Sequence, residues 1–293
     1  MNKMPSLALR SVLLGCLLLG CDTKRTGRHD DVTSIVAGWS HAEPAVAGFE
    51  TKVESKSGMT FVHLPAGSFM FGCSAEDKYC ANNEKPARNV EMPSYWLMSA
   101  PVTVAAYIRC IERSQCDSGR RGMRRWNHYD SPGRGARPCN LGEGRMDYPM
   151  NCLTWDDATR FCAWLGTSLT SSEEWEYAAR RGDGRIYPFA DTITPAAIAQ
   201  LISASHLTDG KQLPTLSVKA LPRINSAWGI TAMFGVCREW TATAAPGQQM
   251  KEVRGCTDCS LAELRTSHKE ALFYDEDVPD VGFRCSLQDE RPY

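Results

Sequence analysis

The chain of 293 residues lacks several features that would indicate common functions. It has no basic excess, because 33 Lys and Arg stand against 34 Asp and Glu, so we expect no nucleic-acid partner. The six His residues show neither H-x-x-x-H nor H-E-x-x-H spacing, which gives little support to a histidine metal centre. The G-x-x-x-x-G-K and G-x-S-x-G motifs of nucleotide-binding loops and serine hydrolases are also missing.

The composition is otherwise that of a globular protein, except for its cysteine. Hydrophobic residues make up 43% and charged residues 23% of the chain, so general disorder is excluded. Thirteen Cys residues are unusual for a cytosolic enzyme of this size. They indicate either maturation in an oxidising compartment or metal binding.

Residues 1–20 have the pattern of a secretory signal peptide. Lys3 and Arg10 form a positive region ahead of the apolar segment Ser11–Gly20. This segment is too short to span a bilayer, which takes about 20 residues. No later run approaches 18 apolar residues, so we expect no membrane-spanning segment.

The end of this segment resembles a bacterial lipobox. In Leu18–Cys21 the Cys would be the lipidated first residue of the mature protein. Cys16 fits the same pattern but leaves almost no apolar stretch before it, and an ordinary signal peptide with a chance Cys is the other alternative. With Cys21 acylated, the protein would be anchored in the bacterial cell envelope, at the outer membrane or the periplasmic face of the inner membrane.

The mature chain divides into a tether and one domain. Residues 21–57 are polar and without sustained periodicity, which predicts a flexible spacer, with a short helix or strand packed on the domain as the alternative. Residues 58–293 show no linker or internal repeat and are predicted to form a single domain.

An arginine-rich loop runs from Ser118 to Arg145, with Trp126 and Tyr129 among its glycines. Arginine suits carboxylates and phosphates and stacks on aromatic rings. The loop is therefore either a surface for an acidic partner, a glycan or a lipid head group, or a solvated variable loop. Its arginines are Arg120, Arg121, Arg124, Arg125, Arg134, Arg137 and Arg145.

Helical patterns are few. Apolar residues recur at helical spacing from Trp155 to Leu165, after the capping residue Thr154 and before Gly166. Ser171 opens a second helix with a capping-box pattern.

A weaker helix is predicted from Pro101 to about Glu112. Strand-like runs occur at Thr60–Leu64, around Val253 and at Val281–Cys285. The pattern predicts an α+β domain with many irregular loops.

Several sequence blocks occur in a characteristic order. They are Phe61–Gly72, Pro101–Tyr107, Tyr148–Ala158, Cys162–Gly166, Leu169–Arg180, Arg185–Phe189, Glu239–Thr241, Val253–Gly255 and Val281–Cys285. Together they resemble the formylglycine-generating enzyme, or sulfatase-modifying factor, family. The resemblance implies a loop-rich α+β variant of the C-type-lectin fold.

The resemblance also implies a chemistry that needs two cysteines. In active formylglycine-generating enzymes, two Cys five positions apart bind Cu(I) and oxidise a substrate Cys with O₂, since Cu(I) prefers soft sulfur ligands. Aligned on Arg254, these cysteines fall on Ser260 and Arg265. A slip of one residue gives Cys259 and Leu264, so neither register supplies both sulfurs.

A structural Ca²⁺ site of the family is also incomplete. The resemblance places Glu239 among its ligands, but oxygen-bearing residues are lost at Ala232 and Val236. Because Ca²⁺ takes about 6–8 oxygen ligands, we expect this site to be degraded.

The remaining candidate sulfurs are Cys256 and Cys259, a C-x-x-C pair. Such a pair can bind Cu(I), cycle as a dithiol or close as a structural disulfide. A disulfide is the simplest expectation in an oxidising compartment, and Cys237 is close enough in sequence to compete for either sulfur.

The other cysteines are predicted to be structural. The resemblance implies a bridge between Cys162 and Cys285. Without Cys16 and Cys21 the count is 11, an odd number, so at least one thiol lacks an intramolecular partner. The candidate local pairs are Cys110 with Cys116, Cys73 with Cys80, and Cys139 with Cys152.

Two functions are consistent with these observations. The first is a cell-envelope lipoprotein whose degenerate domain binds an envelope protein or a glycan. The second is a copper- or dithiol-dependent oxidoreductase that uses Cys256 and Cys259. An iron-dependent sulfoxide synthase of the wider family has little support, because no His-rich partner domain is seen in the sequence.

Overall fold

The structure is a computed structural model. The predicted signal peptide, Cys21, most of the predicted tether and residues 118–138 of the arginine-rich loop lie outside the described residues. All described residues belong to the compact unit Ala42–Tyr293. The described ranges are 49–73, 75–117, 139–182, 184–189, 194–208, 211–221, 228–247 and 249–289.

One antiparallel sheet joins strands from the start and the end of the domain. Its strands are β1 (Thr51–Val53), β2 (Thr60–Leu64), β5 (Tyr95–Met98), β6 (Ser168–Leu169) and β13 (Cys285–Gln288). Their order across the sheet is β1-β2-β5-β13-β6. The strand that comes last in the sequence therefore lies inside the sheet.

A second sheet has four strands, and the loop between two of them, residues 255–268, contains the candidate functional residues. Its strands are β9 (Arg238–Ala244), β10 (Met250–Arg254), β11 (Lys269–Phe273) and β12 (Val281–Phe283). The order is β11-β10-β9-β12, and the pairing of β12 with β9 is parallel. The chain between β10 and β11 contains Cys256 and Cys259, the two candidate catalytic cysteines.

Besides the two larger sheets, the described residues contain two β-hairpins and one short 3-10 helical turn. The turn is Asn82–Glu84, and Glu84 is buried. The hairpins pair β3 (Gly67–Phe71) with β4 (Arg88–Met92), and β7 (Leu207–Thr208) with β8 (Lys211–Gln212).

The described residues contain four α-helices. Two of them begin at the predicted caps, because Thr154 and Ser171 each form a reciprocal capping box with the residue three positions on. Gly166 ends the first of these in the left-handed region, as predicted. The helices are α1 (Val104–Glu112), α2 (Trp155–Leu165), α3 (Ser172–Arg180) and α4 (Pro195–Ser205).

Aromatic side chains form the centre of the core. Tyr107 of α1 stacks on Phe161 of α2 with ring centroids 5.5 Å apart, and Phe283 of β12 meets Phe161 edge-on at the same distance. All three are buried. This packing holds the two helices against the end of the four-stranded sheet.

The last part of the segment predicted as a tether contains a strand packed on the domain, which is the alternative that the sequence left open. The predicted tether extends to residue 57, but Thr51–Val53 pairs with β2 as an edge strand. Its side chains are exposed, so the strand is held by backbone hydrogen bonds, which leave no apolar pattern in the sequence. Within the described part of the chain, every helix is too short or too polar to cross a bilayer.

Candidate functional site

The segment after β10 is fixed by a glycine that no other residue can replace without strain. Gly255 has a φ of 77°, and a Cβ there would lie 2.7 Å from the carbonyl oxygen of Met233. The close approach lets the Gly235 amide donate to the carbonyl of Cys256 at 2.8 Å. The candidate sulfurs are thus packed against the loop before β9.

Cys256 and Cys259 are joined as a disulfide, with Cα atoms 5.4 Å apart. Each is only 4% exposed. Two sulfurs that are bonded to each other cannot act as thiolate ligands or nucleophiles. Of the three alternatives that the sequence left open for this pair, which were Cu(I) binding, a dithiol cycle and a structural disulfide, the structure contains the disulfide.

Arg265 occupies the position that the resemblance assigns to the second catalytic cysteine. It is 1% exposed and its Nη1 donates to Asp77 at 2.7 Å. Its two terminal nitrogens donate to the two oxygens of Glu84, each at 2.6 Å. Ser267 adds a hydroxyl hydrogen bond to Glu84 at 2.9 Å, so the position is the centre of a buried ionic cluster.

The residues present do not fit a Cu(I) site of the family type. Ser260 stands at the first family position and uses its backbone amide to donate to Glu263 at 2.7 Å. The second position holds a permanently charged guanidinium. Because Cu(I) needs soft thiolates, neither position supplies a suitable ligand.

Glu239, the predicted remnant of a Ca²⁺ site, is the buried partner of an arginine. Arg284 donates to both of its carboxylate oxygens, from Nε and from Nη2, each at 2.6 Å. The Trp175 indole adds a third donor at 3.2 Å. Since Ca²⁺ takes about 6–8 oxygens, a single carboxylate already bound by a cation does not fit that ion.

Buried arginine–carboxylate pairs are the polar feature that the sequence interpretation missed. Glu176 lies between Arg180 at 2.7 Å and Arg254 at 3.0 Å. The signal available in the sequence was an arginine inside an otherwise apolar run, as in Ala-Ala-Arg180 and Gly-Phe-Arg284-Cys. The partners are distant in the chain, so no spacing rule identifies them.

The four other predicted cysteine pairs are present as disulfides in the structure. Cys237 is the one cysteine of the described residues without such a bond. Burial raises the pKa of its thiol well above the usual value, and the nearby charge of Glu239 adds to the effect, so the thiol stays protonated. The four bonds are Cys73–Cys80, Cys110–Cys116, Cys139–Cys152 and Cys162–Cys285.

Two groups of metal-ligating side chains occur among the described residues. The first combines Cys73, Cys80 and Glu84, but its two sulfurs are bonded to each other. The second consists of Glu263, His268 and Glu270, whose ligand atoms all lie within 4.8 Å of one another. The sequence analysis did not identify this group.

The carboxyl group of Glu270 is strongly acidic. The neighbouring His268 and the charge of Arg238 lower its pKa to about 2, against the opposing effect of partial burial. Arg238 is held in turn by Asp280 at 2.9 Å.

Of the arginine-rich loop, Arg145 is described, and its guanidinium lies over the ring of Tyr148.

The sequence of residues 47–288 matches the sulfatase-modifying factor enzyme 1-like domain family, so the chain belongs to that family. It is 27% identical over 272 residues to inactive C-alpha-formylglycine-generating enzyme 2 of Mus musculus, which covers 79% of this chain and 86% of the relative. It is 26% identical over 306 residues to the formylglycine-generating enzyme of Streptomyces coelicolor, with 86% and 96% covered. Hercynine oxygenase of Mycolicibacterium smegmatis is 29% identical over 201 residues, which are 45% of that protein.

Solved structures agree on the fold. PvdO from Pseudomonas aeruginosa superimposes with a TM-score of 0.63 at 20% identity, over 82% of this chain and 98% of that one. Treponema denticola variable protein 1 gives a TM-score of 0.57 at 13% identity, over 83% and 99%. The chain therefore has the loop-rich, disulfide-stapled α+β fold of the family, a C-type-lectin-like variant, as the sequence predicted.

Proposed function

We propose that the protein is a cell-envelope lipoprotein whose formylglycine-generating-enzyme-like domain has lost catalysis and serves as a binding module. Its ligand would be an envelope protein or a glycan. The observation that carries the proposal is Arg265, buried between Asp77 and Glu84 where the resemblance requires a cysteine. The likeness to a mouse protein named as inactive supports the same conclusion.

The electrostatics of the position favour this proposal. A guanidinium cannot lose its proton in a protein, so the cluster keeps a fixed positive charge where a copper ion would need a thiolate. The two carboxylates that balance this charge are themselves buried. Converting the site back to copper chemistry would therefore require more than a single substitution.

A copper titration tests the loss of catalysis. The detergent-solubilised full chain is titrated with Cu(I) against bathocuproine under a mild reductant, beside the Cys259→Ser variant. We expect no binding that competes with the chelator in either protein. Stoichiometric Cu(I) binding that disappears in Cys259→Ser would overturn the proposal.

The alternative function is a copper- or dithiol-dependent oxidoreductase that uses Cys256 and Cys259. The specific observation in its favour is the C-x-x-C spacing of this disulfide. In a dithiol cycle, a substrate dithiol would pass two electrons and two protons to the bond, leaving Cys256 and Cys259 reduced and the substrate oxidised. The low exposure of both sulfurs opposes this exchange.

Crosslinking in intact cells separates binding from disulfide exchange. For a binding module, formaldehyde gives a discrete adduct that survives reduction and survives the double change Cys256→Ala and Cys259→Ala. For the oxidoreductase, the adduct is a mixed disulfide that trapping variants such as Cys259→Ser enrich and reductant removes.

Lipid attachment is tested by metabolic labelling with an alkyne fatty acid. We expect label on the wild-type protein, none on Cys21→Ser and full label on the matched control Cys16→Ser. Label that follows Cys16, or no label on the wild type, would contradict the proposed anchor.

A further inference from the structure

The segment between β10 and β11 brings an imidazole and two carboxylates together. Glu263 lies in the turn after Ser260, His268 directly precedes β11, and Glu270 is on β11. All three are partly buried, and their ligand atoms lie within 4.8 Å of one another. The group does not include the disulfide, and it adjoins the Arg265 cluster, because His268 Nδ1 lies 4.0 Å from Glu84 Oε1.

The imidazole Nε2 of this group makes one long polar contact within the described part of the chain, to a carboxylate oxygen of Glu270. His268 Nε2 is buried from solvent and lies 3.4 Å from Glu270 Oε1. This contact is longer than an ordinary N–H···O hydrogen bond, and a buried polar atom without a well-formed hydrogen bond is costly. Two donors bound to one Zn²⁺ at about 2.0–2.2 Å in tetrahedral geometry are themselves roughly 3.4 Å apart, which matches this separation.

Each carboxylate has one oxygen held by the protein. Glu270 Oε2 accepts from Arg238 Nη1 at 2.5 Å, and Glu263 Oε2 accepts from the amide of Ser260 at 2.7 Å. Such outer contacts orient the ligands of metal sites, and their loss typically lowers metal affinity by about 10–100-fold. The Oε1 atoms of Glu263 and Glu270 take no part in these two contacts, so each carboxylate has one oxygen to offer a metal ion.

The charge around the group favours a cation. The connected network contains five carboxylates and two guanidiniums, an excess of negative charge in a partly buried region. The carboxylates belong to Asp77, Glu84, Glu263, Glu270 and Asp280, and the guanidiniums to Arg238 and Arg265.

We propose that Glu263, His268 and Glu270 bind a divalent transition-metal ion, with Zn²⁺ as the best match. One imidazole with two carboxylates suits Zn²⁺, whereas Cu(I) prefers sulfur and Ca²⁺ takes about 6–8 oxygens. Three protein ligands leave a fourth position for water or for a donor atom of a bound partner. This inference is independent of the proposed loss of copper chemistry.

The test is a Zn²⁺ titration of the tag-free, metal-stripped protein, by calorimetry and by competition with a chromophoric chelator. We expect one ion per chain. Glu263→Gln and His268→Gln are each expected to weaken binding by about 10–100-fold or more. His63→Gln is the matched control, because its imidazole already contacts Asp289 at 2.8 Å on the five-stranded sheet.

A spectroscopic readout distinguishes direct ligation from an indirect effect. In the ¹⁵N-labelled protein, the Nε2 resonance of His268 should shift on adding Zn²⁺, and Co²⁺ should give a visible absorption band that Glu263→Gln alters. Glu263→Gln keeps an oxygen for the Ser260 amide, so this variant should fold even if His268→Gln does not.

Absence of saturable Zn²⁺ binding would overturn the proposal. Equal affinity in the wild type and Glu263→Gln, or an equal loss in the His63→Gln control, would also overturn it. The copper titration reports on Cys259 instead, so failure of one proposal does not resemble failure of the other.

Discussion

Arg265 balances the charge of two buried carboxylates, so its removal should strongly lower the stability of the folded protein. Arg265→Ala would leave Asp77 and Glu84 without their cation, which typically costs about 3–5 kcal/mol. We expect a loss of that size in the free energy of unfolding, measured by urea denaturation. The matched control is Arg160→Ala, because Arg160 is half-exposed beside Asp157 and such pairs contribute about 1 kcal/mol or less.

If Arg265→Ala were as mild as the control, the ionic cluster would not occupy the family's cysteine position in solution. The proposed loss of catalysis would then lose its main support.

Asp289 provides a prediction about pH. The contact with His63, followed by a hydrogen bond from Ser94, lowers the pKa of Asp289 below its usual 3.8. A lowered carboxyl pKa gives stability that is present above 3.8 and lost as the pH falls through the folded-state value. We expect a ¹³C NMR titration to show the low pKa in the wild type.

In His63→Gln the pKa of Asp289 should return towards 3.8. An unchanged titration in that variant would mean that His63 does not act on this carboxyl group.

At the scale of single residues, the sequence predicted the pairing of the cysteines but not the buried arginine–carboxylate pairs. The cysteine pairs that close short loops were predicted because their members are near in the chain. Glu84 and Arg265 are 181 residues apart, and the metal-ligating group depends on how the turn after Ser260 folds back on β11. Contacts of this kind have no local pattern.

The N-terminal cap of α2 gives a prediction for a single element. Thr154 Oγ1 accepts from the Asp157 amide at 3.2 Å and Asp157 Oδ2 accepts from the Thr154 amide at 3.3 Å. Thr154→Ala removes the side-chain acceptor and should cost about 1 kcal/mol. Thr154→Ser keeps the hydroxyl and should stay within a few tenths of a kcal/mol in the same denaturation experiment.

A loss in Thr154→Ser as large as that in Thr154→Ala would show that the methyl group matters and the cap does not.

The helices that were predicted are those with local signals. α2 and α3 have capping boxes and a polar face, and α1 has an N-cap at Thr103. α4 was missed because its sequence, Pro-Ala-Ala-Ile-Ala-Gln-Leu-Ile-Ser-Ala-Ser, is apolar along much of its length and lacks a clear polar stripe. The exposed side chains of β1 leave no apolar pattern, so the sequence offered a strand there only as the alternative to a flexible spacer.

The disulfides of the domain differ greatly in the length of the loops that they close. Cys162–Cys285 joins residues 123 apart, whereas Cys110–Cys116 joins residues 6 apart. On the chain-entropy model, replacing the long-range pair by Ala should cost about 5 kcal/mol and replacing the short one about 2 kcal/mol. Denaturant unfolding of the two double variants under oxidising conditions measures the difference.

Equal losses in the two double variants would indicate that local packing around the sulfurs, and not the length of the closed loop, determines their contribution.

The position of β13 within its sheet has a consequence for biosynthesis. This four-residue strand pairs with β5 on one side and β6 on the other. A nascent polypeptide that still lacks it has no strand pairing between β6 and the β1-β2-β5 fragment. The ribosome therefore makes nearly the whole domain before this sheet can be completed, so the sheet cannot reach its native pairing until β13 has left the exit tunnel.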